Sequence, residues 1–94
     1  MINVGIIGYG YWGPNMVRNF MEIGGATVKA VSDMRPERLK LVKSRYPTIE
    51  TMTEPDAIFA DSEIDAVVVV TPVSTHYELA KRALLANKHV LLEK

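Results

Sequence analysis

The stretch Ile2-Asn3-Val4-Gly5-Ile6-Ile7-Gly8-Tyr9-Gly10-Tyr11-Trp12-Gly13-Pro14 decides the fold. Ile2–Ile7 is apolar on both faces, as a strand covered by helices on either side must be, and it reads as a buried parallel strand. Gly8–Gly13 breaks it. From Pro14 onward Val17, Phe20 and Met21 recur at helical spacing and outline one apolar face that stops at Gly24-Gly25. Proline in the first turn and glycine beyond the last is the ordinary asymmetry of a helix. A strand that feeds a crossover helix is the first unit of a parallel sheet.

The rest of the chain repeats that unit. Thr27–Ser32 predicts a second strand ending at Asp33. Pro36 opens a helix with Leu39, Val42 and Tyr46 on its apolar face, and Pro47 closes it. Thr48–Met52 is a short third strand. Thr53 and Asp56 resemble a capping box before a short helix that runs through Ala60. Ala66–Thr71 contains four consecutive valines, a run that only a fully covered central strand accommodates, and Pro72 stops it. Thr75 and Glu78 make a second capping box, with Leu79, Ala80, Ala83 and Leu84 as the buried face of the following helix. Asn87 suits the left-handed residue that ends it. His89–Leu92 is a fifth strand, followed by Glu93-Lys94.

The fold class is therefore α/β, a Rossmann-type doubly wound parallel sheet. Right-handed crossovers favour five strands in the order 3-2-1-4-5, with every carboxyl end on one edge. The glycine turn, Asp33, Thr71-Pro72 and Glu93-Lys94 are far apart in sequence, and this topology carries them to one crevice. Residues 1–94 read as one domain that stops before a sixth strand.

Composition narrows the function without naming it. Hydrophobic residues are 48% and charged residues 23% of the chain, which predicts a packed core and excludes low-complexity tails. Eleven Lys and Arg balance eleven Asp and Glu, so net charge gives no reason to expect nucleic acid or an anionic membrane as a partner. The lack of cysteine removes disulfides, thiolate metal sites and Cys nucleophiles, and no metal site is expected. No apolar run approaches the roughly 18 residues of a membrane span, and the amino terminus enters a strand directly, so a soluble cytoplasmic chain is expected.

Gly8-Tyr9-Gly10-Tyr11-Trp12-Gly13 matches the dinucleotide fingerprint G-x-G-x-x-G in its proper setting, a strand before and a helix after. Gly8 permits the tight turn, Gly10 leaves room for a pyrophosphate, and Gly13 lets the helix approach the sheet. Pro14 has no N–H, so the phosphate donors belong near Tyr11 and Trp12. Asp33 lies 20 residues beyond Gly13, where a carboxylate can accept both hydrogen bonds of an adenosine ribose. The competing reading is a structural glycine turn with Asp33 as the cap of the next helix. Asp33 favours NAD over NADP, because a 2′-phosphate would meet a like charge. Arg35 pulls the other way, since its guanidinium can lie over the adenine or reach a 2′-phosphate. Arg38, Lys40 and Lys43 read as a solvated helix face rather than as a phosphate patch.

Together, the Gly8–Asn15 turn, Asp33, Val70-Thr71-Pro72 with His76, and Glu93-Lys94 resemble the amino-terminal half-domain of the glucose–fructose oxidoreductase, inositol dehydrogenase and rhizopine catabolism (Gfo/Idh/MocA) family. The resemblance covers the whole chain. It implies that Thr71 and Pro72 lie along the nicotinamide half of a bound NAD, with His76 close by, and that Glu93 binds the nicotinamide ribose. Lys94 matches the lysine of the family's Glu-Lys-Pro motif, which holds the substrate hydroxyl and assists proton transfer as hydride moves between a sugar or polyol carbon and the nicotinamide. The sequence ends before that proline and before the domain that supplies the family's substrate pocket and oligomer interface, so the chain alone is expected to bind cofactor and to be inactive. For His76 an ordinary first-turn residue, and for Thr71-Pro72 a simple strand-ending turn, remain open readings.

A second class of function is a stand-alone dinucleotide-binding or interaction module without chemistry. Its fifth strand, His89-Val90-Leu91-Leu92, would be an apolar edge of the kind that invites pairing with another chain. A methyltransferase-type fold fits less well, because such loops lack the third glycine at this spacing.

Overall fold

The computed structural model describes residues 1–93. The chain runs through β1 (Ile2–Ile7), α1 (Gly13–Glu22), β2 (Ala26–Ser32), α2 (Pro36–Arg45), β3 (Glu50–Met52), α3 (Asp56–Ala60), β4 (Ala66–Val69), a 3₁₀ turn (Val73–Thr75), α4 (His76–Leu85) and β5 (His89–Leu92). All five strands are parallel, in the order β3-β2-β1-β4-β5 that the crossovers predicted. Ile7 of β1 pairs with Ser32 on one side and with Val69 on the other. The winding direction reverses at β1, which leaves a crevice beyond its carboxyl end.

Two apolar layers cover the sheet. Val4, Ile6, Val28, Val31 and Val68 pack against Val17 of α1 and against Leu39 and Val42 of α2. On the opposite face Ile7, Ala30, Val67 and Val69 pack against Ile58 of α3 and Ala83 of α4. The valine run of β4 is thus divided between both layers, which is why polar alternation is absent from it. Gly5 lies under α3: an added methyl there would sit 2.7 Å from Ile58 Cγ2, so the close approach of that helix depends on a missing side chain.

Several local expectations are corrected. Val4 pairs with Val28 but Gly5 pairs with Ala30, so Lys29 is an extra residue that bulges from β2. Its ammonium reaches Asp61 and, at 3.0 Å, Glu63. β3 and β4 are shorter than predicted, although the Val70 N–H still donates to the Ile7 carbonyl at 2.8 Å. Neither capping box forms. α3 begins at Asp56 behind Pro55, and the Thr75 hydroxyl turns back to the Pro72 carbonyl at 2.7 Å. On α4 Ala83 is buried but Leu84 is 64% exposed. Beside Ala83, Arg82 lies 4.5 Å over the Phe59 ring and pairs with Asp56 at 2.7 Å. Met21 of α1 is likewise exposed. Asn87 does take the left-handed conformation, with φ 62°.

Among the described residues no helix is long and apolar enough to cross a membrane, and no cluster of His, Asp and Glu could hold a metal ion.

Candidate cofactor site

The carboxyl ends of the strands converge on a cleft of ≈ 1000 Å³. Gly8, Gly10, Tyr11, Trp12, Asp33, Arg35, Thr71 and Pro72, all singled out from the sequence, line it together. Ser32, Met34, Thr53, Glu54, Pro55, Ser74, Thr75 and Glu78 also line it, and sequence reading missed them as site residues. Their signal was positional, since each lies at or just beyond a strand's carboxyl end, in the turn leading into α4 or, for Glu78, in the first turn of α4. Reading Thr53 and Thr75 as caps assigned their hydroxyls to helix ends instead.

The glycine turn is shaped by three different constraints. Gly8 leaves β1 with φ +103°, a conformation that strains any L side chain, while its N–H donates to the Ser32 carbonyl at 2.7 Å. Gly13 sits against the loop's own start, where an added methyl would be 2.9 Å from the Gly8 carbonyl oxygen. It does not line the cleft; it lets α1 start close behind it. Gly10 faces open space, and only the tip of Arg35 would come near an added methyl, at 3.3 Å. At the start of α1 no side chain caps the backbone, and Pro14 carries no N–H. The Gly10 and Tyr11 N–H groups have no protein acceptor among the described residues. Free N–H groups around a concave turn at a helix start fit an anion such as a pyrophosphate.

Asp33 is buried at the end of β2, its side chain 6% exposed. Its Oδ2 accepts the Tyr9 N–H at 2.8 Å, and its Oδ1 accepts the Arg35 N–H at 2.8 Å and Nε at 3.2 Å. Burial alone would raise its pKa, but the donors from Arg35 and Tyr9 outweigh that and hold it below its ordinary value. Asp33 makes no cap for α2, whose N-cap residue is Arg35, so the competing reading of that carboxylate is corrected: it ties the glycine turn to β2. The exposed guanidinium of Arg35 also reaches both oxygens of this carboxylate, its Nε donating to Oδ1 at 3.2 Å and its Nη2 to Oδ2 at 3.4 Å.

Thr71 follows β4, and its carbonyl accepts a hydrogen bond from His76 Nε2 at 2.9 Å. His76 opens α4 and lines a separate shallow apolar hollow with Tyr77, Leu84, Leu85 and Leu92. Glu93 continues the ladder beyond β5, its N–H donating to the Val69 carbonyl at 2.9 Å, and it does not line the main cleft. Lys94 lies outside the described residues.

A doubly wound parallel sheet whose glycine turn and strand-end carboxylate meet in the switch-point crevice defines a dinucleotide-binding domain. The chain belongs to the GFO_IDH_MocA family, an oxidoreductase family with an NAD-binding Rossmann fold, whose profile matches residues 2–94. It is 38% identical to the uncharacterized oxidoreductase YdgJ of Escherichia coli, over 99% of this chain and 26% of that protein. It is 33% identical to scyllo-inositol 2-dehydrogenase (NADP(+)) IolW of Bacillus subtilis, over 99% of this chain and 25% of that one. The fold matches the crystal structure of scyllo-inositol dehydrogenase from Lactobacillus casei with bound NAD(H) and scyllo-inositol, with a TM-score of 0.92 and 32% identity, over 100% of this chain and 28% of that one. The chain thus spans about a quarter of the length of the curated relatives it matches.

Proposed function

We propose that the chain is the NAD-binding part of a dehydrogenase acting on a sugar or polyol hydroxyl, and that residues outside 1–94 complete the substrate site. The observation that carries this reading is the cleft that joins the Gly10 and Tyr11 N–H groups, which have no protein acceptor among the described residues, with the Asp33 carboxylate and the Thr71-Pro72 turn. When bound, the nicotinamide accepts or delivers hydride. Gly8, Gly10, Tyr11 and Trp12 would hold the pyrophosphate, with Gly13 keeping α1 close. Asp33 would hold the adenosine ribose once Arg35 swings off it, and the released guanidinium can then lie over the adenine. Thr71 and Pro72 would border the nicotinamide half, His76 would fix the Thr71 carbonyl, and Glu93 would bind the nicotinamide ribose. Lys94 would hold the substrate hydroxyl and take its proton.

NAD is preferred because a 2′-phosphate would lie against the Asp33 carboxylate, which its hydrogen bonds keep ionised. IolW and the L. casei enzyme carry different cofactors in their names, so family membership leaves this choice to local residues. Thermal unfolding with NAD, NADP or no ligand tests both levels, since a ligand that binds only the folded chain raises its melting temperature. NAD should raise it more than NADP at equal concentration. A larger rise with NADP would reverse the cofactor assignment, and no rise with either would remove the binding function. The isolated chain should show no sugar dehydrogenase activity, because hydride transfer requires a substrate fixed over the nicotinamide. Measurable turnover would overturn that part.

A further inference from the structure

Arg38 leaves the solvated helix face on which the sequence placed it. From the first turn of α2 its Nε donates to the Tyr9 carbonyl at 2.8 Å and its Nη2 to the Gly10 carbonyl at 3.3 Å. Its guanidinium carbon lies 5.8 Å from the centre of the Tyr9 ring, which is buried and wedged against Gly13. Among the described residues every peptide bond is trans. In a planar trans peptide the C=O and the N–H point in opposite directions. Two successive carbonyls drawn toward Arg38 therefore turn the next two N–H groups, those of Gly10 and Tyr11, to the opposite side. That side is the cleft: Gly10 and Tyr11 line it, whereas Tyr9 and Arg38 do not.

We propose that Arg38 is a positioning residue of the cofactor site, which sets the Gly10 and Tyr11 peptide planes from behind so that both N–H groups face a pyrophosphate. The proposal rests on the dinucleotide reading above and adds to it how the donors are aimed. Two donors at a fixed spacing are what two neighbouring carbonyls require, and a guanidinium supplies them where an ammonium offers a single flexible point charge. Asp33 complements it, holding the Tyr9 N–H while Arg38 holds the Tyr9 carbonyl.

The test compares ADP-ribose, which contains the pyrophosphate, with adenosine, which does not, on the 94-residue chain and its Arg38→Lys and Arg38→Met variants. Both substitutions should weaken ADP-ribose binding by about tenfold or more and leave adenosine binding within about twofold, the scale of two mis-aimed hydrogen bonds. Equal weakening of both ligands, or none, would overturn the proposal in favour of a structural role. Full affinity in Arg38→Lys with loss in Arg38→Met would overturn it in favour of charge alone. If a variant does not fold, the unaltered chain decides: the amide resonances of Gly10 and Tyr11 should shift with ADP-ribose and not with adenosine, and their failure to do so would overturn the proposal. Binding of neither ligand by the unaltered chain would sink the dinucleotide reading, and the Arg38 role with it.

Discussion

A methyl group at Gly13 would press on the Gly8 carbonyl oxygen at 2.9 Å and on the Tyr9 ring at 3.2 Å, whereas one at Gly10 would meet only the movable tip of Arg35. The two glycines of one motif therefore fail differently. Gly13→Ala should destabilise the chain by about 1–3 kcal/mol through overpacking at the α1 start. Gly10→Ala should fold with stability within about 0.5 kcal/mol of the parent and lose NAD affinity, because the methyl occupies space that the ligand's phosphates need. Urea unfolding and NAD titration of both variants check this, and a Gly10→Ala protein that binds NAD normally would contradict the placement of the pyrophosphate. The motif's spacing made all three glycines legible in the sequence, as it did Asp33. It could not make Arg38 legible, because a basic residue in the first turn of a charged helix looks the same whether it faces water or two backbone carbonyls. The cover that Arg35 forms over Asp33 was equally hidden, since it depends on side-chain direction rather than on spacing.

Lys88 links two elements that the sequence treated separately. It sits between α4 and β5, 5% exposed, and its ammonium donates to the Asp61 carbonyl at 2.7 Å and the Ile64 carbonyl at 2.8 Å, in the segment that joins α3 to β4. Lys88→Met would leave the buried Ile64 carbonyl without this donor and should cost about 2–4 kcal/mol, a large share of the 5–15 kcal/mol typical of a domain. An unchanged urea midpoint would refute that role. The strand order was readable because hydrophobic runs, turn residues and crossover handedness all agree on it. Finer features were not, because they are settled by tertiary partners. Lys29 bulges from β2 and pairs with Asp61 and Glu63, while Leu84 stays exposed and Arg82 lies over Phe59. The hydroxyls of Thr53 and Thr75 had the spacing of caps, yet α3 starts three residues after Thr53 and Thr75 bonds backwards to Pro72.

For the whole molecule, equal numbers of acidic and basic residues mean that neither sign of charge dominates near neutrality, so pH dependence is set by particular groups. Asp33 and Asp61 both titrate below their ordinary value of 3.8: burial opposes this at Asp33 but the Arg35 and Tyr9 donors win, while Lys29 leads at Asp61. In the pH range between the two values the unfolded chain binds more protons than the folded one, so stability rises with pH there. Their contribution is complete above the unfolded value and is lost as pH falls through the folded one. Lys29, bonded to Asp61 and Glu63, is raised from 10.5, and Tyr9 is raised from 10.0 chiefly by burial. For these two the folded chain holds the extra proton, so their contribution is complete below the unfolded values and declines as pH rises beyond them. The stability profile should therefore be flat across neutrality, falling below about pH 4 and above about pH 10. Asp33→Asn should lower the plateau and make the acid limb shallower, and Lys29→Met should do the same to the alkaline limb. Urea midpoints measured across the pH range decide it: an acid limb as steep in Asp33→Asn as in the parent would show that the carboxylate at the end of β2 does not couple protonation to folding.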